Sequence, residues 1–379
     1  MTIFFANEWL QNEITRRVEK SKLRDALKLI EARELFPSAG YERDIEMFKE
    51  VVQHAGWELT DQPEGDLEVY IGPPFQKCRP HFKPAAIFTM AEHEWQVTSE
   101  WVEAINSYSL CITPSRWCVE LFKRCGVKIP IRYAPHWLDF RTFRFLERDF
   151  EGPFTIISQA TRLFDRKGAW WTLQWFWRFQ HKLPEEVNLI VKTSSSEAEL
   201  DLALSRTRFV ATTLEPEEYT RLLSLPLLSV YPSSGEGFGL IPAEHAAVGM
   251  AVAVSPVSGL KTELVDRCDA FLPLSGAERV VSFLGPFPRF VPDEVQFYNL
   301  VMTLYENRVL MEELAVSVAR FVHEEFTFEK RAPKLIDALL ETAAMRREKL
   351  ETPARLTDFY LGEFKVAEEK VAEQWGIPL

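Results

Sequence analysis

The stretch Glu236-Gly-Phe-Gly-Leu-Ile-Pro-Ala-Glu244 lies between two apolar runs, residues 227–231 and residues 246–255. This order predicts a strand, a glycine loop, a short helix and a second strand. Such a unit belongs to a parallel sheet with helices on its faces. Ligands of these sheets bind at the carboxyl ends of the strands, where the start of a helix offers free N–H groups to an anion. The pattern therefore predicts an anion site at residues 237–240, with both glutamates facing the same cleft.

A second junction between a strand and a helix carries positive charge. The apolar run 154–159 leads into a basic loop that contains Arg162 and Lys167. Arginine can bind two phosphate oxygens through its planar guanidinium, whereas lysine supplies a compact charge. Arg166 lies between them in sequence and is expected to point to solvent. The loop is interpreted either as a clamp for phosphates or as an ordinary basic turn that pairs with nearby acids.

The two segments together resemble motifs of nucleotide-sugar glycosyltransferases with the GT-B fold, especially the large retaining family four. The two glutamates match the E-x7-E motif of that family, and Arg162 and Lys167 match its Arg-x4-Lys-Gly clamp for the donor diphosphate. The resemblance extends over most of the chain and is clearest from about residue 88 to residue 340. It implies an α/β protein of two Rossmann-like β/α/β domains that face a central cleft.

The resemblance also implies which residues bind the donor and act on it. Glu244 would bind the ribose hydroxyls, and Glu236 would bind the donor sugar. The loop between them would bind the sugar or the phosphates through Gly237, Phe238, Gly239 and Leu240. Arg162 and Lys167 would stabilise the departing diphosphate, so these two cations and Glu236 are the expected catalytic residues. No metal or other cofactor is expected, because the chain lacks an Asp-x-Asp motif and its own cations would neutralise the phosphates.

Apolar runs typical of strands alternate with helical stretches in both halves of the chain. They lie at residues 2–5, 67–71, 85–89, 110–113 and 131–134 in the first half, and at 154–159, 188–192, 208–212, 227–231, 251–255 and 270–273 in the second. The charged stretch 144–153 ends in Gly-Pro and is typical of a linker. The linker divides the chain near residue 148, and the resemblance then implies an acceptor-side domain at 1–148, a donor-binding domain at 149–350, and a helix at 351–379 that packs back on the first domain.

The first domain departs from the family pattern at its start. Family members carry a glycine-rich loop directly after the first strand, whereas here a charged stretch follows. A turn at residues 38–43 is expected to take over part of that loop's role. Glu92 and His93 follow the strand at 85–89, so either side chain could orient an acceptor hydroxyl. The alternative is a surface pair on a loop, since an isolated histidine is more often structural.

Length and composition limit the class of protein. A chain of 379 residues can bury two cores of ordinary size, and 46% hydrophobic with 26% charged residues is typical of a globular protein. The net charge of -12 repels phosphates, which argues against a nucleic-acid acceptor. Because no apolar segment reaches about 18 residues and the start lacks a signal-peptide pattern, a cytoplasmic, soluble or peripheral protein is expected. The basic stretch 15–24 is interpreted either as a solvated helix face or as a weak contact with an anionic membrane surface.

The sequence therefore predicts a metal-independent glycosyltransferase that moves a sugar from a nucleotide diphosphate sugar to an acceptor hydroxyl with retention of anomeric configuration. The acceptor is expected to be a glycan, a lipid-linked molecule or a small molecule. Two alternatives stay open. One is a GT-B epimerase that acts on the nucleotide sugar without an acceptor, and the other is a non-catalytic nucleotide-sugar-binding protein that has kept the fold.

Overall fold

A computed structural model of the chain describes residues 2–5, 39–60, 67–74, 79–80, 82–163, 165–194, 205–280, 288–345 and 348–349. The basic stretch 15–24 and the segment 351–379 lie outside these residues, so the membrane-surface contact and the terminal helix stay predictions. No helix of the described part is both long and apolar enough to span a membrane. The cytoplasmic location likewise stays a prediction.

The first domain is built on a parallel sheet of six strands. Its strands, together with the short β4, are β1 (Thr2–Phe5), β2 (Glu58–Thr60), β3 (Leu67–Ile71), β4 (Phe82–Lys83), β5 (Ala85–Phe88), β6 (Leu110–Thr113) and β7 (Ile131–Tyr133). The sheet order is β2-β1-β3-β5-β6-β7, and every pair is parallel. β3, β5 and β6 are buried along their whole length, as strands covered on both faces are, and their sequences are therefore mainly apolar.

The helices of this half are α1 (Ala39–His54), α2 (Ser99–Asn106) and α3 (Arg116–Arg124). A turn of 3-10 helix at Glu94–Gln96 separates β5 from α2. α3 begins after Ser115, whose hydroxyl accepts a hydrogen bond from the N–H of Cys118 at 3.2 Å. This cap satisfies a donor that the start of a helix would otherwise leave unpaired, which fixes where α3 begins.

The second domain is built on another parallel sheet of six strands. They are β8 (Thr155–Gln159), β9 (Asn188–Thr193), β10 (Thr207–Ala211), β11 (Leu228–Tyr231), β12 (Ala251–Val254) and β13 (Leu272–Pro273). The sheet order is β10-β9-β8-β11-β12-β13. The chain leaves β8 toward one edge through β9 and β10, and then returns to the other side of β8 with β11. The topological switch point of this sheet therefore lies between β8 and β11.

Helices and one hairpin complete the second domain. They are α4 (Ala169–Phe179), α5 (Pro216–Leu223), α6 (Leu240–Ala247), α7 (Ser258–Glu263), the hairpin strands β14 (Gly276–Val280) and β15 (Pro288–Pro292), α8 (Glu294–Glu306) and α9 (Arg308–Glu325). Trp175 of α4 is 1% exposed, and its ring centroid lies 3.9 Å from that of Phe297 in α8. This aromatic contact anchors both helices on one face of the sheet, since large buried rings dominate the energetics of a core.

The chain returns to the first domain before it ends. α10 (Phe328–Ala343) follows α9 directly, yet Leu335 and Leu339 on its apolar face are buried in the core of the first sheet. The sequence pattern assigned all of 149–350 to the second domain, and the structure corrects this assignment by joining α10 to the first. The apolar spacing of a helix shows that one face is buried but not which sheet it meets, so the pattern does not reveal this crossing. β16 (Glu348–Lys349) then pairs antiparallel with β4.

Glu263 joins the two domains from a fully buried position. It ends α7 in the second domain and accepts hydrogen bonds from the N–H of Arg116 at 2.9 Å and from the hydroxyl of Tyr133 at 2.6 Å, both in the first domain. A buried carboxylate is costly unless its hydrogen bonds are made. These contacts therefore stabilise the carboxylate and the interface between the domains together.

Replacing Glu263 by alanine should destabilise the protein, because the Tyr133 hydroxyl and the Arg116 N–H lose a buried acceptor. We expect Glu263→Ala to lower the free energy of unfolding by about 2–4 kcal/mol, measured by urea denaturation followed by tryptophan fluorescence. Glu341→Ala is the matched control, since Glu341 pairs with Arg132 on the surface and such pairs contribute about 1 kcal/mol or less. Equal destabilisation by the two variants would contradict this role for Glu263.

Candidate functional site

Two loops of the second domain meet at the switch point of its sheet. The basic loop, residues 160–168, follows β8, and the glycine loop, residues 232–239, follows β11. Because β8 and β11 are neighbours, the loops lie side by side, and the N–H of Ser234 donates to the backbone oxygen of Arg166 at 2.8 Å. The structure thus brings the two sequence motifs to the same carboxyl edge, which is where open α/β sheets bind ligands.

The glycine loop ends at the amino end of α6. Gly239 has a φ of 111°, a left-handed conformation that favours glycine. Among the described residues we find no hydrogen-bond partner for the N–H groups of Phe238, Gly239 and Leu240. Such groups at the start of a helix carry partial positive charge, so this end of α6 is able to bind an anion.

Two glycines of this loop allow the first domain to approach closely. A Cβ atom at Gly235 would lie 2.2 Å from the backbone oxygen of Glu92 and 2.6 Å from Cε1 of His93. A Cβ atom at Gly237 would lie 2.4 Å from the sulfur of Met90. These distances are far below van der Waals contact, so any larger residue would push the domains apart. Part of the glycine pattern therefore serves contact between the domains.

Arg166 lies between two carboxylates that belong to different domains. Its guanidinium donates hydrogen bonds to Glu236 in the glycine loop and to Glu92 in the first domain. It also donates to the backbone oxygen of Gly235 at 3.2 Å. The prediction that Arg166 points to solvent is wrong, because a buried carboxylate needs a cation and Arg166 is the one that reaches it.

The hydrogen bonds of the Glu236 carboxylate all end on one of its two oxygens. Within the described residues, Oε1 accepts from Arg166, from the Tyr231 hydroxyl at 2.7 Å and from the Ser233 hydroxyl at 3.4 Å. For Oε2 we find no partner in that part of the chain, and this oxygen is not among the enclosed polar atoms. Oε1 thus anchors the side chain, and Oε2 is left to accept a hydrogen bond from a ligand.

Glu236 is charged at neutral pH despite its burial. Burial acts to raise the pKa of this carboxyl, but the charges of Arg166 and Lys167 and the hydrogen bond from Tyr231 more than offset it. The pKa of Glu236 therefore lies below its ordinary value. Lys167 precedes Gly168, at which a Cβ atom would lie 2.3 Å from the backbone oxygen of Pro232 in the glycine loop, so this end of the basic loop packs closely against the glycine loop.

Glu244 shows the opposite shift in the first turns of α6, where it is half-buried. Burial raises its pKa to about 7, although the charges of Arg43 and Lys167 and a hydrogen bond from Tyr219 act to lower it. Both protonation states of Glu244 are therefore populated near neutral pH. The charge of Lys167 acts to lower the pKa of both motif glutamates.

Arg162 lies at the exposed edge of the basic loop. The backbone N–H of Arg162 donates to the carboxylate of Asp165 at 3.0 Å. The same carboxylate also accepts from the backbone N–H groups of Thr161 at 3.0 Å and Lys167 at 2.8 Å. Asp165 thereby holds the loop in one shape, as aspartate does in tight turns. Our sequence analysis missed Asp165, although an aspartate in a predicted turn is a signal for this role. In the described residues, no ion pair joins the Arg162 guanidinium to either motif glutamate.

Arg43 brings a cation of the first domain to Glu244. It lies near the start of α1, and after burial its charge is the strongest influence on the Glu244 carboxyl. The Nε atom of Arg43 is enclosed, and no hydrogen-bond partner is found for it in the part of the chain that the structure describes. The turn expected at residues 38–43 is corrected by the structure, because α1 begins at Ala39 and contains Arg43. The sequence analysis did not single out Arg43 as a contact of Glu244, because no local pattern says that the start of α1 faces the other domain.

The two predicted acceptor-side residues lie in different environments. Glu92 is bound to Arg166, whereas His93 is buried and stacks on Trp95 with ring centroids 5.0 Å apart. Burial and the charges of Arg289 and Arg166 lower the pKa of His93 to about 4, so the ring is neutral at pH 7. Its Nε2 has no hydrogen-bond partner among the described residues. Nε2 of His93 is therefore available for a hydrogen bond, as donor or acceptor according to the tautomer of the neutral ring, while Glu92 is already bound to Arg166.

The described residues contain no obvious metal centre. No three His, Cys, Asp or Glu side chains among them are arranged to hold a metal ion. The cysteines that the structure describes, Cys111, Cys118, Cys125 and Cys268, are free thiols, and the first two are buried. Metal independence of the site stays a prediction.

Comparison of the sequence with known proteins gives no match. No protein-family model matches it, and no curated protein is similar enough in sequence to match. Membership of retaining family four and the roles of the E-x7-E motif therefore stay predictions.

The fold, in contrast, is similar to solved structures. WaaG, a glycosyltransferase involved in lipopolysaccharide biosynthesis, has a TM-score of 0.57 at 13% identity, over 80% of this chain and 96% of that chain. Sucrose-phosphate synthase from Thermosynechococcus elongatus has a TM-score of 0.55 at 17% identity, over 79% and 77%. The pneumococcal O-GlcNAc transferase GtfA, in complex with UDP and GlcNAc, has a TM-score of 0.54 at 16% identity, over 73% of this chain but only 57% of that chain. At these identities the likeness shows the fold alone, and it confirms the predicted GT-B fold of two Rossmann-like domains.

Proposed function

We propose that the protein is a GT-B glycosyltransferase of the retaining family-four type, which transfers a sugar from a nucleotide diphosphate sugar to an acceptor hydroxyl without a metal. One observation carries the proposal: at the switch point the Glu236 carboxylate, with Oε2 left over, and the unpaired N–H groups of the glycine loop lie beside the basic loop, to which Ser234 donates a hydrogen bond at 2.8 Å. A nucleotide sugar requires these groups together, since cations bind its phosphates, carboxylates bind its hydroxyls and N–H groups bind its oxygens. The GtfA structure, which contains UDP and GlcNAc, supports a donor of this class.

The donor is held by groups that the protein leaves unpaired. Oε2 of Glu236 accepts a hydrogen bond from a sugar hydroxyl while Oε1 stays bound to Arg166. Glu244 accepts hydrogen bonds from the ribose hydroxyls in its charged form. The N–H groups of residues 238–240 donate to phosphate or sugar oxygens at the amino end of α6.

Catalysis follows from stabilising the leaving diphosphate. As the bond between the sugar carbon and the diphosphate oxygen breaks, negative charge grows on that oxygen, and Lys167 with Arg162 stabilises this charge more than that of the bound donor. The acceptor oxygen then bonds to the same carbon from the same face, and its proton passes to the departing phosphate oxygen. Arg162 is exposed at the edge of the basic loop, so its side chain is able to turn toward the donor diphosphate.

The first domain supplies the acceptor side. The neutral ring of His93 forms a hydrogen bond with the acceptor hydroxyl and orients it, and this requires small movements because Nε2 is enclosed. The close contact of residues 90–93 with Gly235 and Gly237 keeps water away from the reacting carbon, since hydrolysis is the competing reaction. A glycan, a lipid-linked molecule and a small molecule are all compatible acceptors.

Nucleoside diphosphates and nucleotide sugars should stabilise the wild-type protein against heat. A ligand at 100 times its dissociation constant adds about 2.7 kcal/mol, which is seen as a rise in Tm. The double variant Arg162→Gln/Lys167→Gln should lose most of that rise. The control Lys123→Gln/Arg124→Gln, which removes two exposed cations at the end of α3, should keep it. The proposal fails if no nucleotide of the panel stabilises the wild type.

Turnover then separates the proposed transferase from its alternatives. Release of nucleotide that depends on an added acceptor, with a retained anomeric configuration in the product, is the result expected of a retaining transferase. Conversion of the donor sugar into an epimer without an acceptor would instead identify an epimerase. Tight binding without turnover against a broad acceptor panel would favour a non-catalytic binding protein.

Removing Arg166 should cost activity, because Glu236 would remain buried without its cation and take up a proton more readily. We expect Arg166→Gln to lower kcat/KM by about 100-fold, the order found when one preorganised charged contact is lost. Arg166→Lys should recover part of this loss, since a lysine can reach one carboxylate but not both. Arg178→Gln removes an exposed arginine that pairs with Glu294 and should leave kcat/KM unchanged. Similar kinetics for the two glutamine variants would refute the role of Arg166.

Donor affinity should depend on pH through Glu244. Because burial raises the pKa of this carboxyl to about 7, the charged form that accepts ribose hydroxyls is lost as the pH falls through that value. We expect calorimetry to show tighter binding of a nucleoside diphosphate as the pH rises through about 7. The phosphate group titrates in the same range, so Glu244→Gln and a 2′-deoxy nucleotide are the controls. Each should flatten the pH dependence, and an unchanged profile in Glu244→Gln would assign it to the phosphate alone.

A further inference from the structure

One arginine contacts both places where the chain crosses between the domains. The first crossing lies between β7 and β8 and contains His136, and the second lies between α9 and α10. Arg331, near the start of α10, is 3% exposed, and its guanidinium donates to the backbone oxygens of His136 at 2.6 Å and Glu325 at 2.6 Å. The two crossings are therefore joined through a single side chain.

The same guanidinium lies against the glycine loop. Cζ of Arg331 is 3.5 Å from the ring centroid of Phe326 and 5.5 Å from that of Phe238, and the two phenylalanine rings are 5.8 Å apart. Phe238 is 2% exposed, and its own N–H is one of the unpaired donors at the amino end of α6. The ring of Phe238 is thus packed at the crossings, while its backbone N–H faces the proposed donor.

The first domain holds the Phe238 ring from another side. The ring centroid of His136 lies 4.7 Å from that of Phe238, with an interplanar angle of 63°. Nε2 of His136 is 2.7 Å from Oδ1 of Asp44 on α1, and both side chains are buried. The Phe238 ring is therefore enclosed by groups of the first domain and of both crossings. A relative movement of the domains would change the surroundings of this ring directly.

The chemistry of Arg331 suits a positioning role. Burial lowers its pKa to about 10, so the side chain is still charged at neutral pH. A buried charge is seldom the most stable choice, because an apolar residue of similar volume is often as stable or more so. A planar guanidinium, however, fixes the direction of two hydrogen bonds and stacks on rings at the same time. These are the properties needed to set the orientation of a loop.

We propose that Arg331 is a positioning residue for the donor site, which fixes Phe238 and the N–H groups of residues 238–240 relative to both interdomain crossings. Domain closure and donor binding are then coupled, and each favours the other by the same factor. The identity of the ligand rests on the proposed function, whereas the positioning of the loop does not.

Arg148 provides a matched control for this proposal. It also lies at the first crossing, and burial also lowers its pKa to about 10. Within the described part of the chain, its guanidinium donates to backbone oxygens of the second domain alone, including those of Leu223 at 2.8 Å and Val248 at 2.8 Å. No contact with Phe238 is found for it among the described residues. Arg148→Met therefore removes a comparable arginine without touching the glycine loop.

The first experiment needs no ligand. A para-fluorophenylalanine placed at position 238 reports the surroundings of this ring by fluorine NMR. We expect one narrow resonance in the wild type and in Arg148→Met, and a shifted, broadened or split resonance in Arg331→Met. Arg331→Lys keeps the charge but lacks the planar guanidinium that makes both hydrogen bonds. Its resonance should therefore lie between those of the wild type and Arg331→Met, and this variant replaces Arg331→Met in the test if the methionine variant does not fold. A resonance in the Arg331 variants that matches the Arg148 control would overturn the proposal.

The second experiment measures coupling to the donor. Calorimetry with UDP, or with whichever nucleoside diphosphate stabilises the wild type, should give a dissociation constant about 10-fold higher in Arg331→Met and nearly unchanged in Arg148→Met. In a Phe238→Leu background the Arg331 substitution should add little, because the residue through which it acts is gone. Equal and independent losses in both backgrounds would show that Arg331 acts elsewhere. If no nucleotide binds the wild type while the fluorine result holds, the proposed function is wrong and the positioning role stands.

Discussion

The guanidinium of Arg166 binds the carboxylates of Glu236 and Glu92 and so joins the two domains in the middle of the cleft. A buried carboxylate without a cation takes up a proton, so the charge on Glu236 depends on this contact. The orientation of the Glu236 side chain depends on the contact with Arg166 as well, because Arg166 binds Oε1 and leaves Oε2 without a bond to it. Since the same guanidinium also binds Glu92, the charge and the orientation of Glu236 are linked to the position of the first domain. The function proposed for the cleft therefore depends on one shared cation.

Every strand of the two parallel sheets except β2 could be predicted from the sequence, and so could the position of Glu236 directly after a strand, because each follows from the apolar runs and from what comes after them. The switch point could not, because the sequence does not give the order of the strands within a sheet. Arg43 and Arg166 could not be predicted in this way. Their roles depend on which groups of the other domain lie opposite them, and that is set by packing between segments far apart in sequence. The crossing at α10 escapes prediction for the same reason.

The glycines of the loop show why a motif alone does not define a function. A glycine pattern is usually explained by the close approach of a ligand to the backbone. Here atoms of Met90, Glu92 and His93 occupy the space beside Gly235 and Gly237, so contact between the domains is sufficient to require glycine at both positions. The start of any helix leaves N–H groups without an intrahelical partner. Here, however, Phe238 and Gly239 are themselves buried, and buried donors are usually paired, so a ligand oxygen would supply a partner that the described residues do not. These N–H groups distinguish a binding site from an interface more sharply than the glycines do.

In Glu236 and Phe238, one set of atoms makes the contacts between the domains, and a different set is left to bind a ligand. Oε1 of Glu236 is bound to Arg166 while Oε2 is left over, and the Phe238 ring is packed against Arg331 and His136 while its N–H has no partner in the described part of the chain. A ligand can therefore bind without first breaking the contacts between the domains. These groups are already ordered in the folded protein, so little conformational entropy is lost when a ligand binds. This preorganisation favours affinity. The consequence is that substitutions on the interdomain side of these residues act on the ligand without touching it.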